Sequence, residues 1–210
     1  MKLYTVQVAP NPTRVNLFIA EKNAQGERIA IVQEKLNLMK GEQRAPEHLA
    51  RTPFGSLPVL ELDDGSFIIE SLSIIEYLET TFPDPPLIGH DLATRTEVQQ
   101  LERIAELRVL QPIGRIIHAT NSPTGRPPNP ALEQDAREAL PRGLQFFEDR
   151  LGDGREFIAG DRVSIADCTM AAAFQFARFR KLQIAPQYKR VLDWDARYRE
   201  RAAPKSELIM

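Results

Sequence analysis

A proline stands at the mouth of an apolar run in FGSLPVL, residues 54–60, where Pro58 lies between Leu57 and Val59. Proline has no N–H to give to a ladder and is confined to sheet edges, first strand positions or bulges. The run PVLEL is followed by the turn DDG and by SFII, a pattern that predicts two strands joined as a hairpin. One reading is that the backbone around Leu57 and Pro58 is kept for something other than a neighbouring strand; the other is a trans proline that starts an edge strand. The flanking residues decide what that backbone is kept for.

Upstream, KLYTVQV alternates as a strand, and Asn11-Pro12 then opens TRVNLFIAEKN, with Val15, Phe18 and Ile19 on one helical face. Asparagine followed by proline predicts a helix start, with Asn11 as the N-cap and a proline at the first helical position. ERIAIVQEKL predicts a second strand, and the polar segment from Gln43 to Thr52 a helical stretch. Ser71 is expected to cap the helix SLSIIEYLETTF, with Leu72, Ile75 and Leu78 on its apolar face. The order is β-α-β, then β-β-α.

After the proline-dense FPDPPLIGHD the chain reads as helical throughout. Val98, Leu101, Ile104 and Ala105 repeat at helical spacing, and Pro112 is expected to kink or end that helix. ATNSPTGRPPNP is a connection, and LEQDAREALPRGLQFFEDRL is a helix whose middle Pro141 and Gly143 weaken. Ser164 and Asp167 have the spacing of a capping box, flanked by Val163 and Cys168 at staple positions, and PQYKRVLDWDARYRER closes the chain as an amphipathic helix. The predicted organisation is an α/β domain over 1–82, a linker over 83–90 and an all-α domain over 91–210.

Charged residues make up 27% of the chain and the net charge is −2, which argues against disorder and against nucleic-acid binding. No apolar run approaches the roughly 20 residues of a membrane span, and MKLYTVQV lacks the apolar stretch of a secretory signal. A cytoplasmic protein with no membrane partner and no metal site is expected. The single cysteine, Cys168, excludes an internal disulfide and any CxxC pair, so sulfur chemistry would need a thiol brought by a ligand. Within IADCTMAAAF, Cys168 itself reads as a buried, inert thiol.

Three segments, SLPVL (56–60), IIES (68–71) and FIAGDRVSIAD (157–167), occur in an order and at intervals that resemble the cytosolic glutathione transferase family, in its bacterial members. The resemblance covers nearly the whole chain. It implies a thioredoxin-like N-terminal domain packed on an all-α C-terminal domain, glutathione as co-substrate, a small electrophile as second substrate and a two-fold homodimer. It also implies that Pro58 is a cis-proline that turns the backbone of Leu57 toward the cysteinyl backbone of glutathione, so that the ligand takes the place of a strand.

For the γ-glutamyl end of glutathione the resemblance points to Glu70 and Ser71. A helix N-terminus with a serine hydroxyl suits the carboxylate, and a preceding acid suits the ammonium. Gln43, Lys40 and Arg44 lie in the loop that supplies a partner for the glycine carboxylate, and Ser56 stands where relatives often carry glutamine or lysine. The serine position of serine-type relatives falls on Ala9, which has no donor, and Tyr4 lies too early, within the strand. Asn11 remains, and Pro10-Asn11 resembles the Nu-class pattern in which an asparagine amide and the helix N-terminus face the sulfur. Asn11 reads equally as a plain helix cap. Val109, Ile113 and Ile117 could wall a second-substrate site, with Arg108 or His118 as polar contacts, or they could be core. Conjugation of glutathione to a soft electrophile is the expected reaction. Glutathione-dependent disulfide reduction, and a binding module without turnover, are the alternatives.

Overall fold

The computed structural model describes residues 1–209. Strand β1 (Lys2–Thr5) leads into helix α1 (Pro10–Ala24), and β2 (Val32–Lys35) returns parallel to β1 in the register Lys2 to Val32. Two single 3-10 turns, Leu38–Lys40 and Glu42–Arg44, and a short α2 (Pro46–Leu49) carry the chain across to β3 (Val59–Glu61). β3 pairs antiparallel with β1 and, through the Asp63–Asp64–Gly65 turn, with β4 (Phe67–Ile69), giving the sheet order β2-β1-β3-β4. Helix α3 (Ser71–Thr81) completes a thioredoxin-like unit. The predicted second strand survives only as β2, an edge strand whose four residues are all exposed. The Leu57–Pro58 and Asp84–Pro85 peptides are cis.

The helical half comprises α4 (Leu92–Ala105), a five-residue π segment (Glu106–Leu110), α5 (Gln111–Thr120), α6 (Pro130–Arg150), α7 (Ile165–Phe179), α8 (Lys189–Arg199) and α9 (Ala202–Glu207). One apolar core runs through both halves, because α1 packs on α3 on one side and on α7 and α9 on the other. Between α3 and α4, the Glu79 carboxylate accepts from the amides of Leu87 and Ile88 and pairs with the fully buried Lys22 at 2.6 Å. The connecting segment is thereby held to α1 and α3.

Pro112 neither ends nor breaks its helix. A proline cannot donate to the carbonyl four residues back, which is that of Arg108, and the chain meets this by widening into the π segment just before it. The displaced Arg108 carbonyl is received by Gly143 of α6, where a Cβ would lie 2.1 Å from its oxygen. Gly143 is therefore a packing requirement, and α6 runs unbroken for 21 residues through both Pro141 and Gly143.

The capping motif before α7 is organised by Asp167. Its carboxylate accepts from the Ser164 amide and hydroxyl, the Ile158 amide and Trp194 Nε1, at 2.9–3.0 Å. Burial outweighs these donors and pushes its carboxyl up to about 6. Cys168 beside it is fully buried, 3.9 Å from the Tyr198 hydroxyl, and burial pushes its thiol well up. It is inert.

Candidate active site

Helix α1 begins two residues earlier than Asn-Pro suggests. Ala9 occupies the N-cap with no side-chain bond, and Pro10, Asn11 and Pro12 form the first turn. Asn11 is thus not the cap. Of the first three helical residues two are prolines without N–H, and the Thr13 amide already bonds the Ala9 carbonyl. Asn11 consequently supplies the one backbone N–H left free at this end, together with an exposed side-chain amide. Tyr4, the other candidate near the strand end, is buried and donates to Glu61 at 2.6 Å, which gives it a packing role.

At the start of α3 the N-cap is Glu70, with φ 68° and no side-chain cap, and Ser71 is the first helical residue instead of the cap. The first amides of α3 therefore have no side-chain acceptor and face an open end with positive dipole. Val8, at the end of the β1 segment, has φ 72°. Two of the three non-glycine residues with positive φ among the described residues thus sit where strands hand over to α1 and α3. Such backbone is costly for a β-branched or acidic residue and persists where the surrounding structure imposes it.

Between these two helix ends lies Arg14. Its Nε donates to Ser71 Oγ at 2.8 Å and its Nη2 to Asn11 Oδ1 at 2.9 Å. Its Nη1 reaches Glu102 of α4 at 3.0 Å and Glu106 of the π segment at 2.6 Å. The Arg14 side chain is 4% exposed and that of Glu102 1%. Burial pushes the Glu102 carboxyl up, against the opposing pull of Arg14 and a 3.0 Å bond from Thr169. At Glu106 burial acts in the same upward direction, but Arg14 and Arg103 outweigh it and the carboxyl lies below its ordinary value. Sequence reading missed this arginine, because a cation in a helix ordinarily reads as surface. Its signal was its place on the apolar face of α1, one turn before Phe18.

The amide and carbonyl of Leu57 have no hydrogen-bond partner among the described residues, while Val59 is already paired with both β1 and β4. Gly55, at φ 58°, lets this segment close on the 3-10 turn, where a Cβ would sit 2.8 Å from the Gln43 carbonyl. Gln43 therefore lies beside the approach to Leu57, and its Oε1 is buried without a partner. Lys40 and Arg44 are exposed. The Ser56 carbonyl accepts from His48 Nε2 at 2.9 Å. Asn11, Ser71 and Glu70, and the Leu57–Pro58 backbone, thus all lie at strand-to-helix or loop-to-strand junctions of the four-stranded unit. Hollows elsewhere on the surface, such as one bounded by Phe174, Arg178, Leu182 and Leu192, involve none of these residues.

The second-substrate wall needs correction. Val109, Ile113 and Ile117 are at most 2% exposed and belong to the core, so they are packing residues. The face of the same helix that carries Glu106 and Gln111, joined at 3.5 Å, is the one turned toward Arg14 and α1. On α5, a Cβ at Gly114 would meet nothing within 4 Å. His118 is half-buried and bonded to Ser122 at 3.1 Å, and burial, helped by the Arg126 and Arg180 cations, pushes its imidazole below its ordinary value. Arg108 is exposed, with its backbone against α6.

No helix among the described residues is long and apolar enough to cross a membrane. Comparison with known proteins covers nearly the whole chain. Residues 3–86 match the family model for the glutathione S-transferase N-terminal domain, and residues 100–200 that for the C-terminal domain. The chain is 33% identical to glutathione S-transferase 2 of Saccharomyces cerevisiae, over 99% of this chain and 89% of that one. It is 30% identical to maleylacetoacetate isomerase of Pseudomonas aeruginosa, over 92% and 90%. The crystal structure of Gtt2 from Saccharomyces cerevisiae superposes with a TM-score of 0.88 at 32% identity, covering 99% of this chain and 100% of that one. A sheet of order β2-β1-β3-β4 joined to a helical half, with both halves matched by sequence, leads to one conclusion: this chain belongs to the glutathione S-transferase family.

Proposed function

We propose that the chain binds glutathione and conjugates its thiolate to a soft electrophile. The observation that supports this reading is the span of Arg14, whose one guanidinium bonds both Asn11 at the start of α1 and Ser71 at the start of α3. In this reading the γ-glutamyl carboxylate docks on the α3 amides and the Ser71 hydroxyl, and Glu70 accepts from the ammonium. The unpaired Leu57 amide and carbonyl, held ahead of Pro58, pair with the cysteinyl backbone as an added strand. Gln43 is placed for the glycine carboxylate.

The sulfur then lies at the start of α1, where Asn11 brings a side-chain amide and one backbone N–H. Donors and positive potential beside a thiol favour its thiolate, which is the nucleophile. Ala9 contributes no donor, and the fully buried Cys168 contributes no sulfur. The electrophile enters beside Gln111, Gly114 and His118. Domains over 1–82 and 91–210, a cytoplasmic site of action and a homodimer complete the proposal.

The Pro-Asn pattern favours one rival, disulfide reduction by two glutathiones, in which no protein cysteine takes part. Purified protein is assayed with a chlorodinitrobenzene-type electrophile and with a small disulfide, alongside a glutathione titration. Turnover of the electrophile is expected. Turnover of the disulfide alone would replace conjugation by reduction, and binding with neither turnover would leave a binding module.

A further inference from the structure

The geometry points to Arg14 as a positioning residue that fixes the donor direction of both Asn11 and Ser71 toward glutathione. A guanidinium has N–H donors and no acceptor, so any atom it bonds must accept. At Asn11 that atom is Oδ1, so the amide cannot turn over without setting its own N–H₂ against Arg14. The N–H₂ is left pointing away, as a donor for an anion. At Ser71 the guanidinium occupies an Oγ lone pair, and the hydroxyl proton has to leave in another direction. One side chain thus gives donor polarity to the proposed sulfur site and to the proposed γ-glutamyl site together.

Arg14 is itself held. Glu102 and Glu106 receive Nη1, Thr169 of α7 fixes Glu102 at 3.0 Å, and Arg103 fixes Glu106 at 2.9 Å. The helical half therefore sets, through one buried cation, the orientation of two polar groups in the sheet-bearing half. The π segment is part of this arrangement, because Glu106 is its first residue and Glu102 lies one turn before it.

This inference rests on the proposed roles of Asn11 and Ser71, and the experiment separates the two. Arg14→Ala would take from the buried Glu102 its nearest cation, so the variant of choice is Arg14→Lys, which keeps the charge and replaces a three-nitrogen fork by one nitrogen. Thiolate absorbance of bound glutathione against pH, and glutathione affinity by calorimetry, are measured in wild type, Asn11→Ala, Arg14→Lys and the double variant. Asn11→Ala and Arg14→Lys should each raise the bound thiol's pKa by about one unit, and the double variant no further than Asn11→Ala alone. Through Ser71, Arg14→Lys should also weaken glutathione binding about tenfold.

Additive thiol shifts, or an Arg14→Lys thiol titrating as in wild type while Asn11→Ala moves it, would overturn the role of Arg14. An unmoved thiol in Asn11→Ala would overturn the underlying reading of Asn11 instead. Should Arg14→Lys not fold, neutron diffraction on the wild-type glutathione complex decides. Deuterons on Asn11 Nδ2 and Ser71 Oγ directed at glutathione are expected, and Nδ2 placed against Arg14 would refute the inference.

Discussion

Asn11 lies at the second helical position of α1, so its replacement does not remove a cap. That makes Asn11→Asp a clean probe. Aspartate keeps an oxygen for Arg14 and is favourable in a first helical turn, so the melting temperature should hold. Its charge beside the sulfur disfavours thiolate, and turnover with a saturating electrophile should fall at least about tenfold at neutral pH. Unchanged turnover in the folded variant would remove Asn11 from the chemistry. Glu70→Ala and Ser71→Ala each remove a partner of a charged group, interactions worth roughly 1.5–3 kcal/mol, so each should raise the glutathione Kd by tenfold or more in calorimetry. Unaltered affinity in both would mean that the γ-glutamyl end docks elsewhere. Glu70 and Ser71 were singled out because they stand in IIES at a set interval after SLPVL, and Asn11 because of the Pro10-Asn11 pair after the first strand. Arg14, Glu102 and Glu106 were not, because their meeting depends on how α4 crosses α1, and no local pattern encodes that.

At the scale of elements, α5 and α6 show how packing overrides propensity. The apolar spacing of Val109, Ile113 and Ile117 announced a helical face but not which neighbour it meets, and the neighbours turned out to be core helices. Pro112 and Gly143, each a helix breaker when read alone, are complementary: the carbonyl that one displaces the other admits. Gly143→Ala should therefore destabilise the fold by about 1–3 kcal/mol despite alanine's better helix propensity. Gly114→Ala, with open space at its Cβ, should gain about 0.5–1 kcal/mol. Chemical denaturation of the pair tests this, and equal effects of the two substitutions would contradict it.

Asp167 belongs to the same scale, because its carboxylate joins the start of α7 to α8 through Trp194. Its pKa is raised to about 6 by burial, so between its ordinary value near 3.8 and about 6 the native state holds a proton that the unfolded chain has lost. Its contribution to stability is therefore fully present below the unfolded value and declines as pH rises through that window. Asp167→Asn faces an amide N–H₂ against donors and should melt well below wild type with unchanged turnover per folded molecule. The gap in unfolding free energy between wild type and this variant should narrow from pH 4 to 6. A gap that widens with pH would mean that its four donors keep the carboxylate ionised throughout.

For the molecule as a whole, the sheet, the helical half and their order were legible from strand and helix periodicity and the proline-dense break at 82–91. The polar contacts at the joint between the halves were not: Arg14 crosses from α1 to Glu102 and Glu106, and Lys22 and Glu79 hold the connecting segment, charged groups whose burial only the assembled fold creates. Sedimentation at micromolar concentration should show a dimer of the 23.8 kDa chain, and a monomer alone would refute the pairing. The central claim is that the junction of α1 and α3 holds glutathione with its sulfur ionised. Ultraviolet titration of glutathione bound to the wild-type protein tests it most directly. The bound thiol should titrate clearly below the roughly 8.5 of a free cysteine thiol. A bound thiol that titrates at its free value would contradict the account.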